Sequence, residues 1–341
     1  MVKTITIQQA LQTDAIFIDT RSPKEFQEDH IPNSINLPIL DNDERHLVGT
    51  IYKQVSKQQA INQGKEIFSK KLPHFQKELA KHQDKTIIVN CWRGGMRSKA
   101  IVATFSDFNI LQLQGGYKAY RKYVRQQLNQ IEIPELIVLC GLTCTGKTDI
   151  LKLLPNSVDL EGLAQHRSSM YGDIGLIPNS QKRFESLLLK KLQSNKYPIL
   201  FIEGESRRIG DVIIPEKLWK KMCNSKKILI TRSLEKRAQA CVQEYFNTEA
   251  KIQQIRKVTT QLFKVISKEN QNKVIQHIDQ QQYQAAAKIL LEKYYDPLYQ
   301  NTLNQFIYEQ TISSNNEEAV KILTLISQQT QTTHPQSQTK S

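Results

Sequence analysis

At 341 residues the chain is long enough for two ordinary domains, each with its own core. Lysine and arginine total 47 against 33 aspartates and glutamates, and the net charge of +14 fits a polyanionic partner such as a nucleic acid, or equally a solvated basic surface. No run of about 18 apolar residues occurs, which speaks against a bilayer-spanning helix, and the first residues lack the charged-then-apolar order of an export signal.

The five cysteines, at 91, 140, 144, 223 and 241, form neither an even-numbered disulfide framework nor a paired CxxC zinc spacing. A reducing, cytoplasmic setting is expected, in which a single reactive thiol persists. Residues 1–127 alternate short strands with helices. Residues 15–19 read as a buried strand, 64–82 as a helix with Ile67, Phe68, Phe75 and Leu79 apolar among lysines, and 86–90 as a second buried strand. Such alternation implies a mainly parallel sheet covered on both faces. Residues 128–134 are polar, end at Pro134 and form the expected linker. A second α/β region, 135–232, opens with the apolar strand 135–140 running into a glycine loop, and has further strand candidates at 199–202 and 227–231. Residues 233–327 read as almost wholly helical, and 328–341, rich in Gln, Thr and Ser, as a disordered tail.

The first chemical constellation is Cys91, Trp92, Arg93, Gly94, Gly95, Met96, Arg97 and Ser98, set between the strand at 86–90 and a helical stretch at 99–105. In a strand–loop–helix of this kind successive backbone N–H groups point inward and the helix N-terminus adds partial positive charge. Both favour a thiolate at Cys91, as do Arg93 and Arg97 if they turn inward. The alternative is a buried structural cysteine beside a glycine turn.

The second constellation is Gly141, Leu142, Thr143, Cys144, Thr145, Gly146, Lys147 and Thr148, which fits G-x-x-x-x-G-K-[ST] with a strand before it and a helical stretch, 149–154, after it. Its amides suit a diphosphate, Lys147 supplies a point charge, and the Thr148 hydroxyl can help place Mg²⁺. Glu203, at the end of the apolar run 199–202, is the candidate metal-side or water-ordering carboxylate, and Arg207 and Arg208 are candidates to face the phosphates or to be merely solvated.

Residues 19–26, 30–38 and 113–120 resemble the signatures of rhodanese domains. On that resemblance Asp19, Arg21 and His30 brace the loop, and the loop cysteine carries a transferable chalcogen. The Cys-x5-Arg spacing is one residue longer than the usual rhodanese loop and matches phosphatase-like variants, so a phosphate-bearing donor is an open alternative to a persulfide. A rhodanese-like domain followed directly by a P-loop domain resembles the tRNA 2-selenouridine synthase family. The blocks 159–167, with Asp159 and Glu161, and 203–210 add to the likeness. There are two departures: Cys144 and Ser168 stand where that family usually has glycine, and a Cβ at 144 threatens to narrow the phosphate cradle.

The resemblance implies a cytoplasmic transferase acting on 2-thiouridine at the wobble position of tRNA. Its sulfur would first be alkylated by geranyl diphosphate and then replaced by selenium from selenophosphate through Cys91, with a selenophosphate-producing enzyme as a possible partner and no tightly bound cofactor. Lys251, Arg256, Lys257, Lys264 and Lys268 are candidates for a cationic tRNA-facing surface, and Trp92, Trp219, Tyr245 and Phe246 for stacking on the base, each with ordinary packing as the alternative. Rival readings are a P-loop kinase or ATPase carrying a rhodanese or phosphatase-like module, and an RNA-binding protein without activity. The scheme needs the sulfur of Cys91 to be reachable and the side chain of Cys144 to leave room for a diphosphate.

Overall fold

A computed structural model describes residues 2–262 and 265–333. These fall into two compact units: residues up to Gln130 together with Ser180–Lys190, and the rest from Ile131 onward.

The first unit runs β1 (Thr4–Ile5), α1 (Ile7–Gln12), β2 (Ala15–Asp19), α2 (Pro23–Glu28), β3 (Ile35–Asn36), α3 (Asn42–Gln54), α4 (Lys57–Ala80), β4 (Thr86–Asn90), α5 (Met96–Thr104), β5 (Ile110–Leu113) and α6 (Gly116–Gln130). Its five strands lie in the order β1-β5-β4-β2-β3, and every pair is parallel. Strands buried on both faces must be apolar throughout, and β4 has Ile87, Ile88 and Val89 fully buried. The helix expected at 64–82 is the C-terminal part of α4, and Ile67, Phe68, Phe75 and Leu79 are buried together against β4 and α5 side chains. α6 continues to Gln130, three residues into the expected linker, because Val124 and Leu128 keep an apolar face buried on that helix.

The second unit contains β6 (Glu135–Cys140), α7 (Lys147–Leu153), β7 (Ser157–Val158) and α8 (Leu160–Ala164). α9 (Gln181–Gln193) follows, and the stretch Ser180–Lys190, which takes in most of it, belongs to the first unit. Then come β8 (Ile199–Glu203), the antiparallel pair β9 (Arg208–Ile209) and β10 (Val212–Ile213), α10 (Glu216–Cys223) and β11 (Lys226–Ile230). The rest is α11 (Leu234–Tyr245), α12 (Glu249–Gln261), α13 (Lys268–Asp279), α14 (Tyr283–Leu290), a π-helical turn, α15 (Asp296–Leu303), β12 (Gln310–Ile312) and α16 (Asn316–Thr333). The main sheet is again wholly parallel, in the order β12-β11-β6-β8-β7.

The region 233–327 is almost wholly helical as expected, with the three-residue β12 added as an edge strand on β11, and two other expectations change. It is not separate from 135–232, since Ile312, Ala319 and Leu323 share a core with Ile137, Phe201 and Ile228. And α16 carries the backbone to Thr333, six residues into the expected tail; residues 334–341 lie outside the described ones. Among the described residues no helix is long and apolar enough to cross a membrane.

Candidate active site

Both glycine loops leave the carboxyl end of an interior strand of a parallel sheet, the position at which such sheets present ligand sites. In the first unit β4 delivers Cys91. Its Sγ lies 3.2 Å from the Gly95 amide, which donates to it, and 3.2 Å from Ser98 Oγ. Gln112 on β5 fixes the loop from beneath, its Nε2 donating to Gly94 O (2.9 Å), Gly95 O (3.2 Å) and Ser98 Oγ (2.9 Å). The start of α6 closes the other side, where Tyr117 N–H donates to Cys91 O at 2.8 Å and Lys118 N–H to Trp92 O at 3.0 Å. Gly94 has φ +63° and Gly116 φ +57°, and a Cβ on Gly116 would lie 2.3 Å from Cys91 O. Only glycine permits that approach.

Two features of this loop differ from the sequence reading. Cys91 is 3% exposed, so its sulfur is covered where an open nucleophile was needed. Arg97 is engaged by Glu25, its Nη1 donating to Glu25 Oε2 at 3.1 Å, and Arg45 lies 3.7 Å from the same carboxylate. Burial would raise the Glu25 carboxyl, but these cations hold it below the usual range. Arg93 and Met96 are exposed, and Trp92 packs 5.4 Å from the Tyr117 ring.

Asp19 and Arg21 form a buried pair, with Arg21 Nη2 2.6 Å from Asp19 Oδ2 and also donating to Asp29 O. The Arg21 guanidinium lies 3.7 Å over the Tyr117 ring. His30 Nδ1–H donates to Phe26 O on α2 at 2.9 Å, and the His30 ring stacks on the Phe26 ring.

In the second unit β6 runs into the loop Gly141–Thr148. Lys147 Nζ donates back to Gly141 O (2.9 Å) and Leu142 O (3.3 Å), and Thr145 Oγ1 to Leu142 O (2.9 Å). Gly141 and Gly146 have positive φ. A Cβ on Gly141 would meet Ile230 O at 2.4 Å, and one on Gly146 would meet the Arg232 guanidinium at 2.6 Å. Cys144 and Ser168 also hold positive φ, +62° and +50°, so each keeps a backbone better suited to glycine. Arg237 on α11, only 3% exposed, braces the loop by donating from Nε to Thr143 O at 2.8 Å while its fork holds Asp296.

Thr148 Oγ1 donates to Glu203 Oε1 at 2.8 Å, and Glu203 also accepts from Glu161 N–H at 3.3 Å. Oxygens of Glu161, Glu203 and Glu205 lie within 4.8 Å of one another. Burial, then the neighbouring Glu205 and Asp159 charges, push the Glu203 carboxyl up to about 8; Glu161 is raised well above its ordinary range and Glu205 is raised as well, both chiefly by burial. Hard oxygen donors crowded in this way suit a divalent cation such as Mg²⁺. Asp159 caps α8 by accepting from Gly162 N–H at 2.7 Å.

The loop opens on a cavity of about 1050 Å³. Gly141, Thr143, Cys144, Thr145, Gly146, Lys147 and Thr148 line it with Asp159, Glu161, Glu205 and Arg207. Cys144 is thus part of the wall and leaves the space open. Arg208 is absent from this wall; it is exposed, bonded to Gly210 O and Asp211. Part of the remaining wall is apolar, with Trp219 and Met222 from α10, Tyr245 from α11, Leu298, Tyr299 and Leu303 from α15, and Phe306, while Lys152, Gln165, Lys227, Gln243 and Glu244 add polar groups. Of these, sequence reasoning had singled out Trp219 and Tyr245. It missed Arg167, which also lines the cavity, pairs with Glu244 at 2.8 Å and lies 4.9 Å over the Tyr245 ring. It missed the α15 residues as well, whose helix carries no sequence signal of a binding wall. Phe246 packs into the helical core.

The expected cationic surface is partly engaged locally. Lys251 donates to Glu244 O at 2.9 Å, Arg256 pairs with Asp279 at 3.0 Å, and Lys268 donates to Gln271 at 2.8 Å. Lys257 is exposed, and Lys264 lies outside the described residues.

A rhodanese-like family model matches residues 6–123, and one described as the tRNA 2-selenouridine synthase AAA domain matches 134–274. The tRNA 2-selenouridine synthase of Shewanella piezotolerans is 34% identical over 256 residues, covering 72% of this chain and 70% of its own. The chain belongs to the tRNA 2-selenouridine synthase family. The Marinobacter nauticus member aligns more fully, 31% identical over 86% of this chain and 89% of its own. The family's two modules therefore correspond to the two loops described, one on each unit.

Proposed function

We propose that the protein converts wobble 2-thiouridine in tRNA to 2-selenouridine, with alkyl transfer in the cavity of the second unit and selenium delivery at the Cys91 loop. The observation that carries the first step is a phosphate-loop sequence opening on a cavity that also holds a cluster of apolar and aromatic side chains. Lys147 and the loop amides suit the diphosphate of geranyl diphosphate, and Trp219, Met222, Leu298, Leu303 and Phe306 suit its hydrocarbon. In this step the thiocarbonyl sulfur attacks C1 of the geranyl group and the C–O bond breaks. The electron pair leaves with the diphosphate, whose growing charge Lys147 and the amides stabilise. Glu161, Glu203 and Glu205 with the Thr148 hydroxyl would hold Mg²⁺, which when bound supplies further positive charge to that leaving group.

S-alkylation makes the sulfur a better leaving atom. Selenium from selenophosphate then adds at C2 of the base, and geranylthiol departs with the pair of the C–S bond. The Cys91 loop amides and Arg93 suit the donor's phosphoryl oxygens, with Cys91 helping to seat the donor at the loop; water then cleaves the P–Se bond of the adduct, phosphate leaves, and 2-selenouridine remains. Because Cys91 is covered, this reading includes a movement of the exposed Gly95 and Met96 away from the sulfur.

A nucleotide-hydrolysing enzyme is the second reading, favoured by the Thr148–Glu203 contact alone. Titration calorimetry separates the two. Wild type is expected to bind geranyl diphosphate at least tenfold more tightly than inorganic diphosphate, Lys147→Ala to lose both, and ATP to be turned over negligibly. Brisk ATP hydrolysis with no preference for the geranyl ligand would reverse the assignment.

A further inference from the structure

The segment 207–227 carries seven lysines and arginines against two acids, Asp211 and Glu216, a denser positive charge than the chain has as a whole. Three of these cations are gathered on α10. With about 100° between successive helical residues, Lys217, Lys220 and Lys221 fall on one side of the helix together with Asn224 at its end, and all four are exposed. They line a cleft of about 500 Å³ with Glu132 and Ile133, which lead toward β6. The other side of α10 carries Trp219, Met222 and Cys223, which line the cavity of the phosphate loop. Nearby acids neutralise little of this charge. Glu216 reaches Lys220 at 2.7 Å, but both side chains are mostly exposed, and an exposed bridge of this kind yields readily to a phosphate. Glu132 is the one acid in the cleft wall, against three lysines.

We propose that the lysine face of α10 binds backbone phosphates of the tRNA and so holds the strand beside the cavity into which the wobble base turns. The inference rests on the reading above that this cavity is where the base is alkylated. A helix with its side chains is about 10 Å across. A strand lying on the lysine face therefore has its nearby bases within reach of the cavity-lining side of the same helix. Lys217 and Lys221 stand one turn apart on that face, and Lys220 lies three residues before Cys223 at the cavity wall. Lysine suits a backbone contact, since a compact charge on a flexible stem meets a phosphate without the planar match that a base edge demands. Contacts of this kind set register and orientation, leaving the base itself to be read inside the cavity. The cations of α12 and α13 are poorer candidates, because Lys251, Arg256 and Lys268 are each tied to a neighbour. A merely solvated lysine face needs neither a cleft beside it nor a ligand cavity behind it, and α10 has both.

The test measures binding of the full chain to 2-thiouridine-bearing tRNA across a salt series, with neither donor present. The variant Lys217→Gln/Lys220→Gln/Lys221→Gln is compared with wild type and with a charge-matched control on α4, Lys70→Gln/Lys77→Gln/Lys81→Gln, thermal melting confirming that each is folded. The α10 variant is expected to bind tRNA about tenfold more weakly, and its slope of log affinity against log salt to be shallower by about 2, since each lost phosphate contact on a single strand removes about 0.7. The α4 control is expected to keep the wild-type slope. Ethylating the phosphates that flank the wobble nucleotide should weaken wild type and leave the α10 variant unaffected. Lys221→Gln alone, with a proportionately smaller change, serves should the triple variant not fold. A wild-type affinity and slope in the α10 variant, or an equal loss in the α4 control, overturns the proposal. Geranyl diphosphate binding is measured separately and without tRNA. Its absence from wild type defeats the alkyl-transfer reading, whereas its presence alongside indifference to the α10 lysines defeats this inference alone.

Discussion

Gly116 shows how much of the first site rests on single residues. Its positive φ and the 2.3 Å and 2.4 Å distances from a built Cβ to Cys91 O and Gly94 N mean that no side chain fits without moving the loop backbone. Gly116→Ala is expected to destabilise the first unit by about 2–3 kcal/mol, read from urea unfolding. Glu203 carries a pH signature. Its carboxyl, raised from an ordinary 4.5 to about 8, keeps its proton in the fold; the stability this contributes is full below 4.5 and is lost as pH rises through about 8. Wild type should therefore lose stability across that window, and Glu203→Gln should flatten the slope, a comparison made by thermal melting at several pH values.

The residue patterns of both loops were legible because their chemistry demands glycine, lysine and cysteine at set spacings. The partners that complete them were not. Nothing in sequence shows that Arg97 is taken by Glu25, that Cys91 is covered, or that Arg237 braces Thr143, since each depends on contacts between residues far apart in the chain.

Among elements, the apolar central strands and the amphipathic α4 were readable from periodicity, whereas β1, β3 and β12 were not. At two or three residues they are too short to show alternation, and they exist because a neighbouring strand offers its edge. The segment Ser180–Lys190 looked like part of the second domain but is counted with the first unit, for a reason found in Asp29. That carboxylate, 0% exposed, accepts from Tyr117 OH at 2.7 Å and from Ser186 Oγ at 3.0 Å, with Arg121 3.7 Å away. Arg121 also pairs with Glu185 and donates to Lys182 O at 3.0 Å. Removing the cation takes away the ion-pair partner of Glu185 and leaves the buried Asp29 with Arg183, 3.9 Å away, as its remaining cation. Arg121→Ala is expected to cost about 3 kcal/mol, measured in a Trp219→Phe background where Trp92 alone reports unfolding of the first unit.

At the scale of the molecule, two parallel-sheet units each present a glycine loop at the end of an interior strand, one around a thiol and one around a lysine. The family's pairing of the two modules is explained if a single base needs both, a diphosphate leaving at one loop and selenium arriving at the other. Incubating 2-thiouridine-bearing tRNA with geranyl diphosphate and selenophosphate, followed by mass spectrometry of the nucleosides, tests this most directly. The account predicts 2-selenouridine from wild type, geranylated thiouridine accumulating with Cys91→Ala, and unmodified 2-thiouridine with Lys147→Ala. Selenouridine formed undiminished by both variants would contradict it.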